Sequence, residues 1–384
     1  MQWYIDQEIL PCCATLVMHN EEIVDFKTMG YMDLQSKTPL REDAIYRIYS
    51  NTKIITSVMA LILWEEGRFK LDDPIADYLP EFSNLQVLRK GAKGPDDTET
   101  CNTPVTIRHL LSHSAGLSYG FVDPESIIDQ TYIAAGINPM GPLDDSLEDL
   151  CSRLSQMPLA YQPGTQWRYS FATDVVARLI EVLSQARFDE VLNERLFTRL
   201  NMKDTGFVVP ESKRDRFITM YAPADMFDPM KPGLTLADDP HTGLYTKDRN
   251  FLSGGGGLVS TVQDYLNFLT MLVRGGDFQG QQILQPDTLE TMRSNQLSAG
   301  VGVSFPMWDM PGTVFGLGLA LKEHPADDEP ATAQGEYHWG GIGGTHTWVA
   351  PEANLVGMCM TQLMPGFWHP FSHDFKRLAY SLSN

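Results

Sequence analysis

Ser50 and Lys53 stand three residues apart at the head of an apolar run, Ile54 to Trp64. On a helix that spacing puts both side chains on one face, so the amine can sit beside the hydroxyl. A serine hydroxyl is a poor nucleophile until a base takes its proton, and lysine serves as that base once its pKa falls toward neutral. Desolvation and the unpaired N–H groups of a helix start both push in that direction. The same helix end leaves the Ser50 N–H free to meet a developing oxyanion. Tyr169, in the turn Gln162-Pro-Gly-Thr-Gln-Trp-Arg-Tyr169-Ser170-Phe171, is placed just before a helix. Near Lys53 its hydroxyl would relay the serine proton to a leaving group. A third element, His338-Trp339-Gly340-Gly341-Ile342-Gly343-Gly344-Thr345-His346, is glycine-rich and strand-like, which lets a ligand approach the backbone and frees an amide as a second oxyanion donor.

Other chemistry-bearing patterns carry less. Gly116-Leu-Ser118-Tyr-Gly120 matches the nucleophile elbow of α/β-hydrolases, but that motif needs a strand before it, and a helical pattern precedes this one. His109 and His113, like His369 and His373, share a helical spacing without the internal Glu and third ligand of a zinc site, and read as structural histidines. Gly254 to Gly257 lacks the Gly-Lys-Ser/Thr ending of a phosphate loop and reads as close packing behind the active site.

The elements that must position these groups follow from periodicity. Residues 11–18 and 22–29 read as a hairpin turning at His19-Asn20-Glu21. The Ser50 helix runs to about Glu66, with Gly67 at its C-terminal cap. Residues 105–115 and 172–185 carry apolar residues at helical spacing. Met220 to Phe251 shows no clear period and reads as a binding loop or lid. Ser260-Thr-Val-Gln263 reads as a capping box for a helix from Asp264 to Arg274. Strand patterns return at Phe315–Leu321, Glu336–Ile342, His346–Val349 and Leu355–Gln362, before a last helix over Phe371–Leu382. The expected fold is α/β: an antiparallel sheet built from both chain ends (1–72 and 252–384) with a mainly helical domain, 73–251, inserted between them.

Composition narrows the partners. The chain has 384 residues, 43% hydrophobic and 20% charged, with a net charge of −20. A surface that acidic repels phosphate backbones and anionic lipid, so neither nucleic acid nor membrane is expected as a partner. No apolar stretch is long enough to span a bilayer, and the amino terminus lacks a basic segment followed by an apolar one. The five cysteines, Cys12, Cys13, Cys101, Cys151 and Cys359, show no paired metal-type spacing and fit a reducing cytoplasm.

Taken in order, Tyr46-Arg-Ile-Tyr-Ser50-Asn-Thr-Lys53, Leu71-Asp-Asp-Pro74, Arg108-His-Leu-Leu-Ser-His-Ser-Ala-Gly-Leu117, Pro163-Gly164, Tyr169-Ser170 and Gly256-Gly-Leu-Val-Ser-Thr261 resemble the serine β-lactamase and penicillin-binding-protein superfamily, and within it the class C-like family VIII carboxylesterases and statin-type acyltransferases. The resemblance covers nearly the whole chain. It implies Ser50 as nucleophile, Lys53 and Tyr169 sharing general base and acid work, an oxyanion hole from the amides of Ser50 and Ile342, and no metal or organic cofactor. Two departures sharpen it. Phe171 stands where class C β-lactamases have the asparagine of Tyr-x-Asn, and Trp339-Gly340-Gly341 stands in place of Lys-Thr-Gly. The absent polar groups would hold a β-lactam, so Phe171, Trp339, Gly340 and Gly341 are expected to bind a neutral acyl ester of short or medium chain. Reading His338 in place of Trp339 would shift the strand by one residue and present its opposite face; the Trp-Gly-Gly register is preferred. A β-lactamase, a D-Ala-D-Ala peptidase, an acyltransferase and a non-catalytic assembly protein are the alternatives.

Overall fold

The computed structural model describes residues 1–137, 145–306, 308–367 and 369–383. Residues 138–144, inside the span expected as the helical insertion, lie outside the described residues. Eight antiparallel strands form one sheet. In chain order they are β1 (Cys12–His19), β2 (Glu22–Asp33), β3 (Thr38–Pro39), β4 (Thr313–Phe315), β5 (Ala320–Lys322), β6 (Tyr337–Gly341), β7 (Thr345–Ala350) and β8 (Leu355–Met360). Their spatial order is β4-β5-β6-β7-β8-β1-β2-β3, so the β8–β1 ladder joins the two ends of the chain. The expected hairpin turns where Asn20 and Glu21 both take positive φ.

The sheet is covered on both faces, which is why β1 is apolar at nearly every position rather than alternating. Cys12, Ala14, Leu16 and Met18 face the main core with Met358 and Trp339. Cys13 and Val17 face a second layer with Trp348, Phe375 and Tyr4. Helices on the main-core side include α1 (Thr52–Glu65), α2 (Ala172–Ser184) and α3 (Val262–Val273); α4 (Phe371–Tyr380) covers the other side. Helix α1 is buried from Thr52 to Leu63 and packs along α2. It stops at Gly67, in the left-handed region at φ +70°, with the Arg68 N–H donating to the Leu63 carbonyl across the turn.

Several elements differ from expectation. Phe315–Leu321 is two strands of a hairpin rather than one, because the chain turns through Gly316 and Gly318 between β4 and β5. The helix expected over 105–115 is a single turn, Ile107–Leu111, capped by the Thr106 side chain. The cap of α3 is Thr261, whose hydroxyl accepts from the Asp264 N–H; Ser260 lies in the strand before it and bonds Thr205. The lid segment is ordered as a hairpin, Met220–Pro223 against Leu234–Asp238, followed by a 3₁₀ turn at Leu244–Thr246. No described helix is long and apolar enough to cross a membrane, and all five cysteines are free.

Candidate active site

Ser50 sits in a 3₁₀ turn, Tyr49–Asn51, wedged between a short strand, Ile45–Arg47, and α1. That strand pairs with Val259–Thr261. The direction change falls on Tyr49, a non-glycine residue in the left-handed region at φ +41°, a strained conformation held only where its surroundings fix it. Asn51 supplies much of that hold. Its amide donates to the Thr345 carbonyl at 3.0 Å, its side-chain oxygen accepts from Thr347 at 3.3 Å, and its carbonyl accepts from the Tyr265 hydroxyl at 3.1 Å. The Thr345 hydroxyl in turn donates to the Ile48 carbonyl at 3.1 Å. The turn that carries Ser50 is thereby bolted to β7.

One helical turn on, the Lys53 Nζ lies 3.3 Å from the Ser50 Oγ and 2.6 Å from the Gly255 carbonyl. Its ammonium end lies over the rings of Tyr169 (4.5 Å) and Tyr119 (5.0 Å). Burial pushes Lys53 down to about 7, against the opposing field of the Asp174 carboxylate. Burial, rather than the helix start alone, makes this amine neutral near physiological pH. The Tyr169 hydroxyl is bonded to the Ser50 side chain and accepts from the Trp339 indole N–H at 3.1 Å. Burial raises the Tyr169 pKa well above the ordinary phenol value, and the Ser50 and Trp339 bonds offset only part of that. Tyr169 therefore keeps its proton where Lys53 has lost its own.

Trp339 points to the site and His338 does not. The His338 Nδ1 lies 2.9 Å from the buried Glu336, which also holds Lys376 of α4 at 2.5 Å. The Trp-Gly-Gly register thus describes the face of β6 turned to Ser50. Beyond it, the Gly341 carbonyl accepts from the Gly344 N–H at 2.9 Å, which turns the Ile342 N–H, on the opposite side of that trans peptide, away from the hairpin. A Cβ on Gly341 would run into the Ile48 carbonyl and the Thr345 hydroxyl, so only glycine lets β6 lie this close to the Ser50 turn.

These groups meet at a cavity of about 650 Å³. Ser50, Tyr169, Gly340 and Ile342 lie on its wall, with Tyr119, Phe305, Trp308 and Phe367 on the apolar side and Tyr245, Arg249 and Phe251 from the lid segment. Phe171, expected to touch substrate, does not line it. It is fully buried behind Tyr119, ring centroids 4.6 Å apart, at the first turn of α2. Trp339 and Gly341 are likewise off the wall, one behind Tyr169 and the other against the Ser50 turn.

Asp174 escaped the sequence reading. Wholly buried at the first turn of α2, it accepts from the Ser253 hydroxyl (2.6 Å) and the Gly255 N–H (3.1 Å), and so fixes the carbonyl that holds Lys53. Its only signal was an acid in the first turn of a strongly apolar helix just after Tyr169. Ser118 is held in a buried network, bonded to Asp129 and accepting from Arg168 at 2.7 Å. His109 caps its own short helix, and His113 bonds Ser170 at 3.1 Å. Gly254 and Gly255 do pack closely, against Ala177, Asp174 and Tyr119. No cluster of His, Cys, Asp or Glu suited to a metal occurs among the described residues.

Residues 4–379 match the family model described as Beta-lactamase. The chain belongs to the beta-lactamase family. It is a hydrolase of that family. Among relatives of this beta-lactamase-family hydrolase, esterase EstB of Burkholderia gladioli is 29% identical, covering 88% of this chain and 82% of EstB. Lovastatin esterase of Penicillium rubens is 29% identical, covering 89% of this chain and 87% of its own. Among solved structures, EstCE1, described as a hydrolase with promiscuous acyltransferase activity, superposes with a TM-score of 0.82 at 25% identity, covering 99% of this chain and 96% of that one.

Proposed function

We propose that the protein is a serine carboxylesterase that cleaves short- to medium-chain acyl esters through an acyl-Ser50 intermediate. The observation that carries this reading is a buried amine, its pKa lowered to about 7, 3.3 Å from a serine oxygen on the wall of a largely aromatic cavity. In the forward step Lys53 takes the Ser50 proton as Oγ attacks the acyl carbon, and the N–H groups of Ser50 and Ile342 receive the oxyanion. Tyr169, protonated and bonded to Ser50, relays the proton to the departing alkoxide. Water then attacks the acyl-enzyme by the reverse route; an alcohol in its place gives acyl transfer. The aromatic wall, and β6 carrying an indole where a lysine would hold a β-lactam carboxylate, support a preference for esters over lactams. Five unpaired cysteines, with Cys13 and Cys359 sulfurs 3.7 Å apart and unjoined, support a cytoplasmic location.

Hydrolysis of p-nitrophenyl butyrate by Ser50→Ala and Ser118→Ala, measured beside nitrocefin turnover by the native protein, tests the reading. Ser50→Ala should lose ester turnover and Ser118→Ala keep it, with nitrocefin cleaved poorly. Activity that survives Ser50→Ala overturns the site, and nitrocefin as the better substrate overturns the reaction class.

A further inference from the structure

Among the described residues three charged side chains stand on the cavity wall: Asp238, Lys247 and Arg249, all from the lid segment. Asp238 is already neutralised. Its Oδ2 accepts from Nε (2.8 Å) and Nη2 of Arg47, a side chain wholly buried behind the wall. Lys247 and Arg249 are left. In a chain of net charge −20, the cavity wall is locally positive.

Arg249 is also held in place rather than trailing in solvent. Its guanidinium carbon lies 4.7 Å over the Tyr245 ring, and it is hydrogen-bonded to that residue's hydroxyl. Tyr245 is itself anchored beside the reacting serine: its hydroxyl donates to the Gly256 carbonyl at 3.3 Å and its ring meets Tyr49 edge-on at 6.4 Å. The Arg249 Nε is buried without a partner, and no carboxylate lies within ion-pair reach of it among the described residues. Asp248, next to it in the chain, is not on the wall. Across the cavity the surface is apolar, with Phe305 and Trp308 stacked at 4.1 Å and Phe367 against them. A guanidinium pre-positioned on the wall with no carboxylate partner among the described residues is suited to a planar anion.

We propose that the ester this site takes carries a carboxylate on its alcohol side, bound at the lid wall by Arg249 with Lys247 beside it, while the acyl chain lies on the aromatic wall. The inference rests on the esterase reading and narrows it to acyl esters of hydroxy acids.

The test compares 4-(butyryloxymethyl)benzoate with the corresponding benzamide, two butyrate esters of near-equal size that carry a carboxylate or a neutral amide on an alcohol insulated from it by a methylene group. In the native protein at low salt, kcat/KM should favour the carboxylate about tenfold, the value of one charge-assisted hydrogen bond, and the preference should shrink as salt is added. Arg249→Gln should bring the ratio close to one, and Arg249→Lys should keep part of it; because each variant is judged on a ratio, a partly folded sample cancels. A native ratio of one or less, or a ratio unchanged in Arg249→Gln, overturns the proposal. Calorimetric binding of the two esters to Ser50→Ala separates this failure from that of the esterase reading. Tighter binding of the carboxylate, lost in the double variant with Arg249→Gln, sustains the anion site even where neither ester is hydrolysed. Hydrolysis of both without preference sustains the esterase and removes the anion site.

Discussion

Lys53 and Tyr169 touch the same serine, and burial moves them in opposite directions along the pH scale: it disfavours the charged form of each, so the amine loses its proton easily and the phenol keeps its own. That divergence supports the proposed roles of Lys53 as base and Tyr169 as proton relay. Ester turnover should therefore rise with pH through about 7, the point at which Lys53 becomes neutral, and level off above it; a pH profile of kcat/KM checks this. The Asp174 carboxylate raises the Lys53 pKa, so Asp174→Asn should slide the rising limb to lower pH as well as loosen the Gly255 carbonyl. The buried amine also burdens the fold. Because its folded pKa lies below the unfolded value, the unfolded chain binds the extra proton between about pH 7 and 10, and stability contributed by this site rises with pH across that window. Lys53→Met, close in volume, should remove that slope and melt higher than the native protein at pH 6 while abolishing turnover, as thermal unfolding at both ends of the window will show.

At the scale of elements, the site is an agreement between three backbones. The Ser50 turn is pinned to β7 through Asn51 and Thr345, the Lys53 amine is held by the glycine loop at Gly255, and β6 comes within glycine distance of Ile48. Gly341→Ala puts a methyl group where the Ile48 carbonyl and Thr345 hydroxyl already are. We expect it to destabilise the fold by about 1–3 kcal/mol, the usual range for overpacking, and to lower kcat more than that loss of folded protein accounts for, since the strand and the Ser50 turn must part. Denaturant unfolding and initial rates on the same samples separate the two effects. The helix-start spacing of Ser50 and Lys53 was legible in sequence because it is local. Asn51 was not, because its partners lie more than two hundred residues away.

At the scale of the molecule, the Arg47–Asp238 pair ties the strand leading into Ser50 to the lid hairpin. Arg47 is fully buried with its guanidinium 3.9 Å from the centre of the Phe217 ring, and only Asp238 offers it a carboxylate among the described residues. Removing one partner of such a pair leaves the other charge uncompensated, which costs about 3–5 kcal/mol. Asp238→Asn should fall at the lower end of that range, since the amide still accepts a hydrogen bond, and should loosen the lid before the sheet; hydrogen exchange at Leu234–Asp238 against that at β1 reads the order.

What the sequence determined by itself was whatever depends on short spacing or on a periodic pattern: the Ser50–Lys53 face, the hairpin at His19-Asn20-Glu21, the glycine-rich strand, the sheet drawn from both termini. Apolar runs and turn residues act over a few positions, and a linear reading finds them. The tertiary structure alone decided what surrounds those groups. It withdrew Phe171 from the cavity behind Tyr119, brought Asp174 beneath the lysine, ordered the lid as a hairpin and left Arg249 on the wall with no carboxylate partner among the described residues. Burial and partnership belong to contacts between distant segments, and those two quantities set both the proton affinities and the charge a substrate meets.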